Sequence, residues 1–210
     1  MIKKNLPLII ITSVIILIPM LAGLILWNVL PDSIAIHWNA AGQPDGFASK
    51  TVAVFVMPIF ILAVHIICTF VTALDPKAKD ISGKPLTLVL WICPVLSVIV
   101  GYITYATALG GNVKIQVIMP LVLGGLFTII GNYLPKCKQN YTIGIKIPWT
   151  LNDENNWNKT HRFAGMLWVI GGLLIMATAF LGSFIIFFTI LILMVIIPTI
   201  YSYLYYKKCR

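Results

Sequence analysis

The chain has 210 residues, 60% of them hydrophobic and only 10% charged, with a mean hydropathy of +0.97. So few polar side chains cannot cover a water-soluble globule, which excludes a soluble enzyme domain. The net charge of +9 and pI near 9.5 do not indicate a nucleic-acid binder either. In a membrane chain, Lys and Arg report orientation.

Crossing about 30 Å of hydrocarbon takes about 20 apolar residues. Six such windows follow one another, at 6–27, 51–74, 86–109, 115–134, 163–181 and 184–206, and none contains Asp, Glu, Lys or Arg. Runs of this length are helices rather than barrel strands, because every backbone polar group must be satisfied within the segment. The expected fold is all-α: a polytopic membrane protein, one domain over 1–210, built as a bundle of six transmembrane helices. An ordered outer loop is expected at 28–50, and a cytoplasmic loop with a juxtamembrane helix at 135–162. The first run follows Lys3 and Lys4 as a signal peptide would, but it is too long for an h-region and lacks a small-x-small cleavage site, so it is read as a retained helix.

Thirteen Lys and Arg fall on the side of both termini, and only Lys50 and Lys114 on the other. The positive-inside rule therefore predicts cytoplasmic N- and C-termini, which requires an even number of spans. Cys68 and Cys93 fall in spans, Cys137 and Cys209 on the basic side, and no disulfide is expected. Pro19, Pro58, Pro94, Pro120 and Pro198 interrupt five of the six spans; they read either as hinges or as ordinary kinks re-satisfied by neighbours. Gly124-Gly125 and Gly171-Gly172 point to close helix contact.

In the outer loop, Ile34, Ile36 and Trp38 alternate with Ser33, Ala35 and His37, the period of a short strand with one apolar face. Trp38 is expected to pack inward, and Pro44-Asp45-Gly46 to make a tight turn. Asp32, His37, Asn39 and Asp45 read in three ways: as a local hydrogen-bond network, as a contact surface for something arriving from outside, or as metal ligands at a spacing that matches no recognised site. In the inner loop, Thr150 and Asp153 suggest a capping box starting a helix from Leu151 that feeds the fifth span. Trp157 and His161 then share a face, with Lys159 and Arg162 beside them. Trp149, Trp157 and Trp168 would bracket the interface. This region reads as an amphipathic helix on the membrane surface, as a docking platform, or as both. His65 is the one ionisable side chain deep in a span, and is either a neutral packing residue or a functional group.

The outer segment Leu30-Pro31-Asp32, His37-Trp38-Asn39, Gly42, Asp45 and Ser49-Lys50 resembles the membrane domain of unknown function DUF1648, over a half spanning 6–74. The inner segment is similar to the signature of the SdpI-like immunity proteins of Gram-positive bacteria, over a half spanning 115–206. It carries Gly131-Asn132-Tyr133-Leu134-Pro135, Asn140-Tyr141, Ile143-Gly144-Ile145, Pro148-Trp149-Thr150-Leu151 and Trp157-x-Lys159-Thr160-His161-Arg162. Ala35 stands where that family usually has proline, Lys146 where arginine is common and Ile147 where threonine is common.

The resemblance implies a bacterial plasma-membrane immunity protein, not an enzyme, that protects its producer against a secreted antimicrobial peptide or protein toxin. It further implies capture of a cytoplasmic transcriptional repressor at the membrane. From the residues themselves no cofactor, no metal and no direct nucleic-acid contact is expected, and the oligomeric state stays open. Toxin-sensing candidates are Asp32, His37, Trp38, Asn39 and Asp45. Partner-binding candidates are Asn140, Trp149, Trp157, His161 and Arg162, and His65 is the intramembrane candidate. A small-solute transporter or permease is the alternative; kinked helices favour it and the lack of an intramembrane acid or base pair opposes it.

Overall fold

The computed structural model describes residues 2–79, 81 and 83–209. Six helical segments are long and apolar enough to cross a membrane: Ile2–Ile25, Val52–Ala73, Lys84–Ala108, Ile115–Lys136, Glu154–Leu181 and Phe184–Lys208. Their outward faces are apolar, as lipid requires: Ile185 is 80% and Val195 62% exposed. The chain forms two compact units, one of residues 1–73 with 87–115, the other of 74–86 with 116–210.

In the first unit the opening span is split into α1 (Ile2–Ile16) and α2 (Ile18–Ile25). The break falls beside Pro19, which lacks its N–H, and α4 (Lys84–Ala108) braces the backbone on either side of it. Ser97 donates its hydroxyl to the Ile16 carbonyl at 2.9 Å, and Tyr105 donates to the Pro19 carbonyl at 2.9 Å. Gly101 permits this approach, since a Cβ there would lie 2.5 Å from Pro19 Cβ. Of the five prolines expected to interrupt spans, only Pro19 divides a helix. Pro94 and Pro198 lie inside unbroken helices, as does Pro120 in α5 (Ile115–Tyr133). Pro58 follows a π-helical turn, Val52–Val56, whose wider ring absorbs the distortion before α3 (Met57–Ala73).

Between α2 and the π turn lies an antiparallel hairpin, β1 (Ser33–Trp38) with β2 (Pro44–Ser49). The first strand was legible; the second was not. Pro44-Asp45-Gly46 is not the turn. Pro44 opens β2, where a strand tolerates proline, and Gly46 sits opposite His37, where a Cβ would meet His37 Cβ at 2.8 Å. The reversal occurs at Asn39–Gln43: Asn39 Oδ1 accepts from the Ala41 and Gln43 amides at 2.9 and 3.0 Å, and Gly42 supplies a φ of 72°. Ile34, fully buried with Leu30, Ala53, Val54 and Tyr105, seats the hairpin on the helices. Trp38, expected to pack inward, is only half-buried, because irregular register around His37 breaks the alternation.

In the second unit α5 continues into a 3-10 turn, Leu134–Lys136, and is followed by the short α6 (Pro148–Asn152), α7 (Glu154–Leu181) and α8 (Phe184–Lys208). The long helix starts at Glu154 rather than Leu151. Its cap is Asp153, which accepts from the Asn155 amide at 2.8 Å, while Thr150 belongs to the preceding short helix. Antiparallel α5 and α7 meet at two glycine pairs. A Cβ on Gly124 would be 2.5 Å from the Gly172 carbonyl, and one on Gly131 2.8 Å from that of Gly165. Side chains tie α7 to α8: the Asn156 amide donates to the Ser202 carbonyl at 3.0 Å and accepts the Ser202 hydroxyl at 2.6 Å, and Trp168 donates to the Met194 carbonyl at 2.9 Å.

Candidate functional site

The hairpin presents polar groups on its open face. His37 Nδ1 lies 2.5 Å from Asp45 Oδ1, and both side chains are exposed. Phe47, 59% exposed, lies on the same strand as Asp45 and two residues along, so it shares that strand's outward face. Asn39 is committed to the turn. Asp32 meets Lys50 at 3.4 Å, and Lys50 is a residue that charge counting undervalued. Its ammonium donates to the carbonyls of Trp27 and Leu30, both at 3.2 Å, and lies 4.9 Å from the Trp27 ring centroid. It thereby binds the start of the second span to the carbonyl end of the first. No group of three metal-ligating side chains occurs among the described residues.

The inner candidates fall into a buried set and a reachable set. Asn140 uses all its capacity within its own loop: its amide donates to the Lys138 and Ile143 carbonyls at 2.8 and 3.0 Å, and its oxygen accepts from the Thr142 and Ile143 amides. Trp157 and His161, one helical turn apart on α7, stack with ring centroids 4.0 Å apart, and both are almost wholly buried. Trp157 donates its indole N–H to the Cys137 carbonyl at 2.8 Å. His161 donates through Nδ1 to the Trp157 carbonyl at 2.8 Å, while Nε2 accepts the Ile145 amide at 2.9 Å, so the ring works as a neutral imidazole with its proton on Nδ1. Gly144, at φ 121°, lies against both rings, where a side chain has no room. These three residues shape the loop from beneath. Trp149, half-buried, packs on the Tyr203 and Tyr206 rings of α8 at 5.4 and 6.2 Å, and Arg162 is exposed.

A clasp that sequence reasoning missed holds the same loop. Asp75, buried just after α3, accepts from the Lys77 amide at 2.7 Å, the Tyr141 amide at 2.8 Å and the Thr142 hydroxyl at 2.5 Å. Burial alone would push this carboxyl up. The Thr142 hydroxyl, the Lys77 and Tyr141 amides and the nearby Lys146 charge together outweigh that and hold it below its ordinary value. Lys77 donates to Gln139 Oε1, and Gln139 Nε2 donates to the carbonyls of Thr150 and Leu151 at 2.8 and 3.0 Å. The sequence signal was a carboxylate directly before a proline, in a loop that also holds Lys77, Lys79, Asp80 and Lys84.

His65 is 2% exposed, with Nε2 3.1 Å from the Thr12 hydroxyl of α1. Thr12 is also within 2.9 and 3.0 Å of the Leu8 and Ile9 carbonyls, which take its one hydrogen, so the His65 N–H donates to Thr12. This bond locks α1 to α3.

Residues 136–202 match the SdpI/YfhL protein family, and residues 14–62 match the domain of unknown function DUF1648. Over 98% of its length the chain is 30% identical to the immunity protein SdpI of Bacillus subtilis strain 168, and the match covers 97% of that protein. No solved structure matches it.

Proposed function

Because the chain belongs to the SdpI family of immunity proteins, we propose that it protects a bacterium against a secreted antimicrobial toxin by binding, without turnover. The observation that carries this reading is identity running through nearly the whole of both chains, so that both patterned loops fall within the match. In this reading the protein lies in the plasma membrane with both termini in the cytoplasm, and the hairpin faces outward. Its His37–Asp45 pair and Phe47 offer a toxin one polar and one apolar contact on a rigid element, and Trp38 and Asp32 flank them.

On the cytoplasmic side, the loop that Asn140, Trp157 and His161 hold in shape exposes Tyr141 and Lys146, with Trp149 at its edge. This is the surface proposed to capture a cytoplasmic transcriptional repressor. His161→Ala frees the Ile145 amide and is expected to weaken repressor recruitment to membranes while the spans remain folded.

The test is survival of toxin-exposed cells carrying the wild-type gene, an empty vector, or the double variant Asp45→Ala/Phe47→Ala. Protection by the wild type and its loss in the double variant, at equal membrane abundance, is the expected result. Equal killing of wild-type and empty-vector cells by a panel of related toxins defeats the reading. Solute flux in proteoliposomes would then favour a transporter.

A further inference from the structure

The close crossing of α5 and α7 leaves a groove of about 370 Å3 beside it, lined by Thr128, Ile129, Asn132 and Tyr133 of α5 and Val169 of α7. Ile129 is 48% exposed, so this wall faces hydrocarbon. Thr128 is satisfied within its own helix, donating to the Gly124 carbonyl at 2.8 Å. Asn132 is not: it is exposed on a spanning helix, and its side-chain amide has no hydrogen-bond partner among the described residues. An amide left bare in lipid is costly and calls for a polar partner.

Toward the basic end, both walls of the groove finish in a cation. Lys136 follows Asn132 by four residues, and its ammonium sits 4.6 Å from the centroid of the Tyr133 ring that forms part of the wall. Arg162 precedes Val169 by seven residues, two turns along the same face of α7; it is exposed and has no ion pair among the described residues. A second copy of this chain would bring its own basic end against these cations, so charge disfavours a second copy and, in this apolar wall, favours an anion with an apolar tail.

We propose that this groove binds an anionic phospholipid from the leaflet on the basic side of the membrane. One acyl chain lies along Ile129 and Val169, the phosphate sits between Lys136 and Arg162, and the glycerol-ester oxygens meet the Asn132 amide. Of the five inner candidates, Arg162 thus serves the lipid. This assignment does not depend on the toxin or on the repressor.

The test is native mass spectrometry of the full-length protein in mild detergent, titrated with phosphatidylglycerol or phosphatidylcholine. Wild type is expected to keep one phosphatidylglycerol and to bind it about tenfold more tightly than phosphatidylcholine, with two cations supplying the preference. Lys136→Ala/Arg162→Ala is expected to weaken phosphatidylglycerol roughly thirtyfold and leave phosphatidylcholine unchanged. Val169→Trp, which fills the groove, should weaken both lipids. Lys207→Ala/Lys208→Ala, which removes the same charge from the end of α8, should weaken neither. Equal retention of the two lipids by wild type overturns the proposal and needs no variant to fold. So does an equal loss in the α8 control, or a protein dimer in place of the lipid adduct.

Discussion

Asp75 turns a two-residue chemical detail into the order of a whole loop. Its carboxylate takes three hydrogen bonds, two of them from Tyr141 and Thr142, which lie more than sixty residues away in sequence. Asp75→Asn keeps the shape but replaces one acceptor oxygen with a donor, and bonds to a charged acceptor are worth about 1.5–3 kcal/mol each. The expected outcome is faster tryptic cleavage at Lys138 and Lys146 and a lower thermal midpoint in detergent. The pH dependence has a definite sign. The folded carboxyl titrates below its unfolded value of 3.8, so its contribution is complete above that pH and is lost as pH falls through the lower folded value. Opening of the wild-type loop, followed by hydrogen exchange because trypsin does not work in acid, should therefore be flat across neutral pH and rise only in strong acid, whereas in Asp75→Asn that acid step should be absent. At the hairpin, the fully buried Ile34 and the half-buried Trp38 make a second comparison. Ile34→Ala should cost about 2–5 kcal/mol of stability and Trp38→Ala distinctly less, reversing the order that side-chain size alone suggests.

Among the elements, α5 and α7 show what a helix pair needs from sequence. Gly124 meets Gly172 and Gly131 meets Gly165, a spacing of seven on each helix, so the same face returns after two turns. Gly124→Ala places a methyl within 2.5 Å of a backbone carbonyl and should lower stability by about 1–3 kcal/mol. Its neighbour Gly125 has open space beyond it, so Gly125→Ala should be neutral or raise stability by up to about 1 kcal/mol through helix propensity. Thermal unfolding of the two variants side by side checks the pair. The adjacent glycines were visible in the sequence, but which of them touched a partner was not, because facing residues in an antiparallel pair carry no local signal. Helices themselves were legible because an apolar run has one solution in lipid. The hairpin was half legible: alternation marked β1, whereas β2 is a proline-aspartate-glycine stretch whose local preference is a turn and which only pairing with β1 holds extended. Of the inner site, the Trp157–His161 face followed from helical spacing. The Asp75 clasp did not, since it joins segments that only the fold brings together.

For the whole molecule, the distribution of charge and the six spans make one statement about orientation. If the six helices all span, the sequence order puts thirteen basic residues on one side and two on the other, and the positive-inside rule then predicts that both termini share the cytoplasmic side. Lys50, one of the two exceptions, is held by the Trp27 and Leu30 carbonyls and by Asp32, so it acts as a fastening of the hairpin rather than as a retention charge. That leaves Lys114 as the one basic residue expected on that side without such a role, which sharpens the predicted asymmetry. The expectation is that Ala41, in the hairpin turn, lies outside, and that Asn155, in the first turn of α7, lies inside; both are exposed and accept a probe without disturbing packing. Single cysteines at these positions, in a variant lacking the four native ones, can be treated with a membrane-impermeant maleimide in intact cells. Ala41→Cys should label at once, and Asn155→Cys only after the membrane is permeabilised. The opposite pattern would place the hairpin in the cytoplasm, where no secreted toxin could reach His37, Asp45 and Phe47.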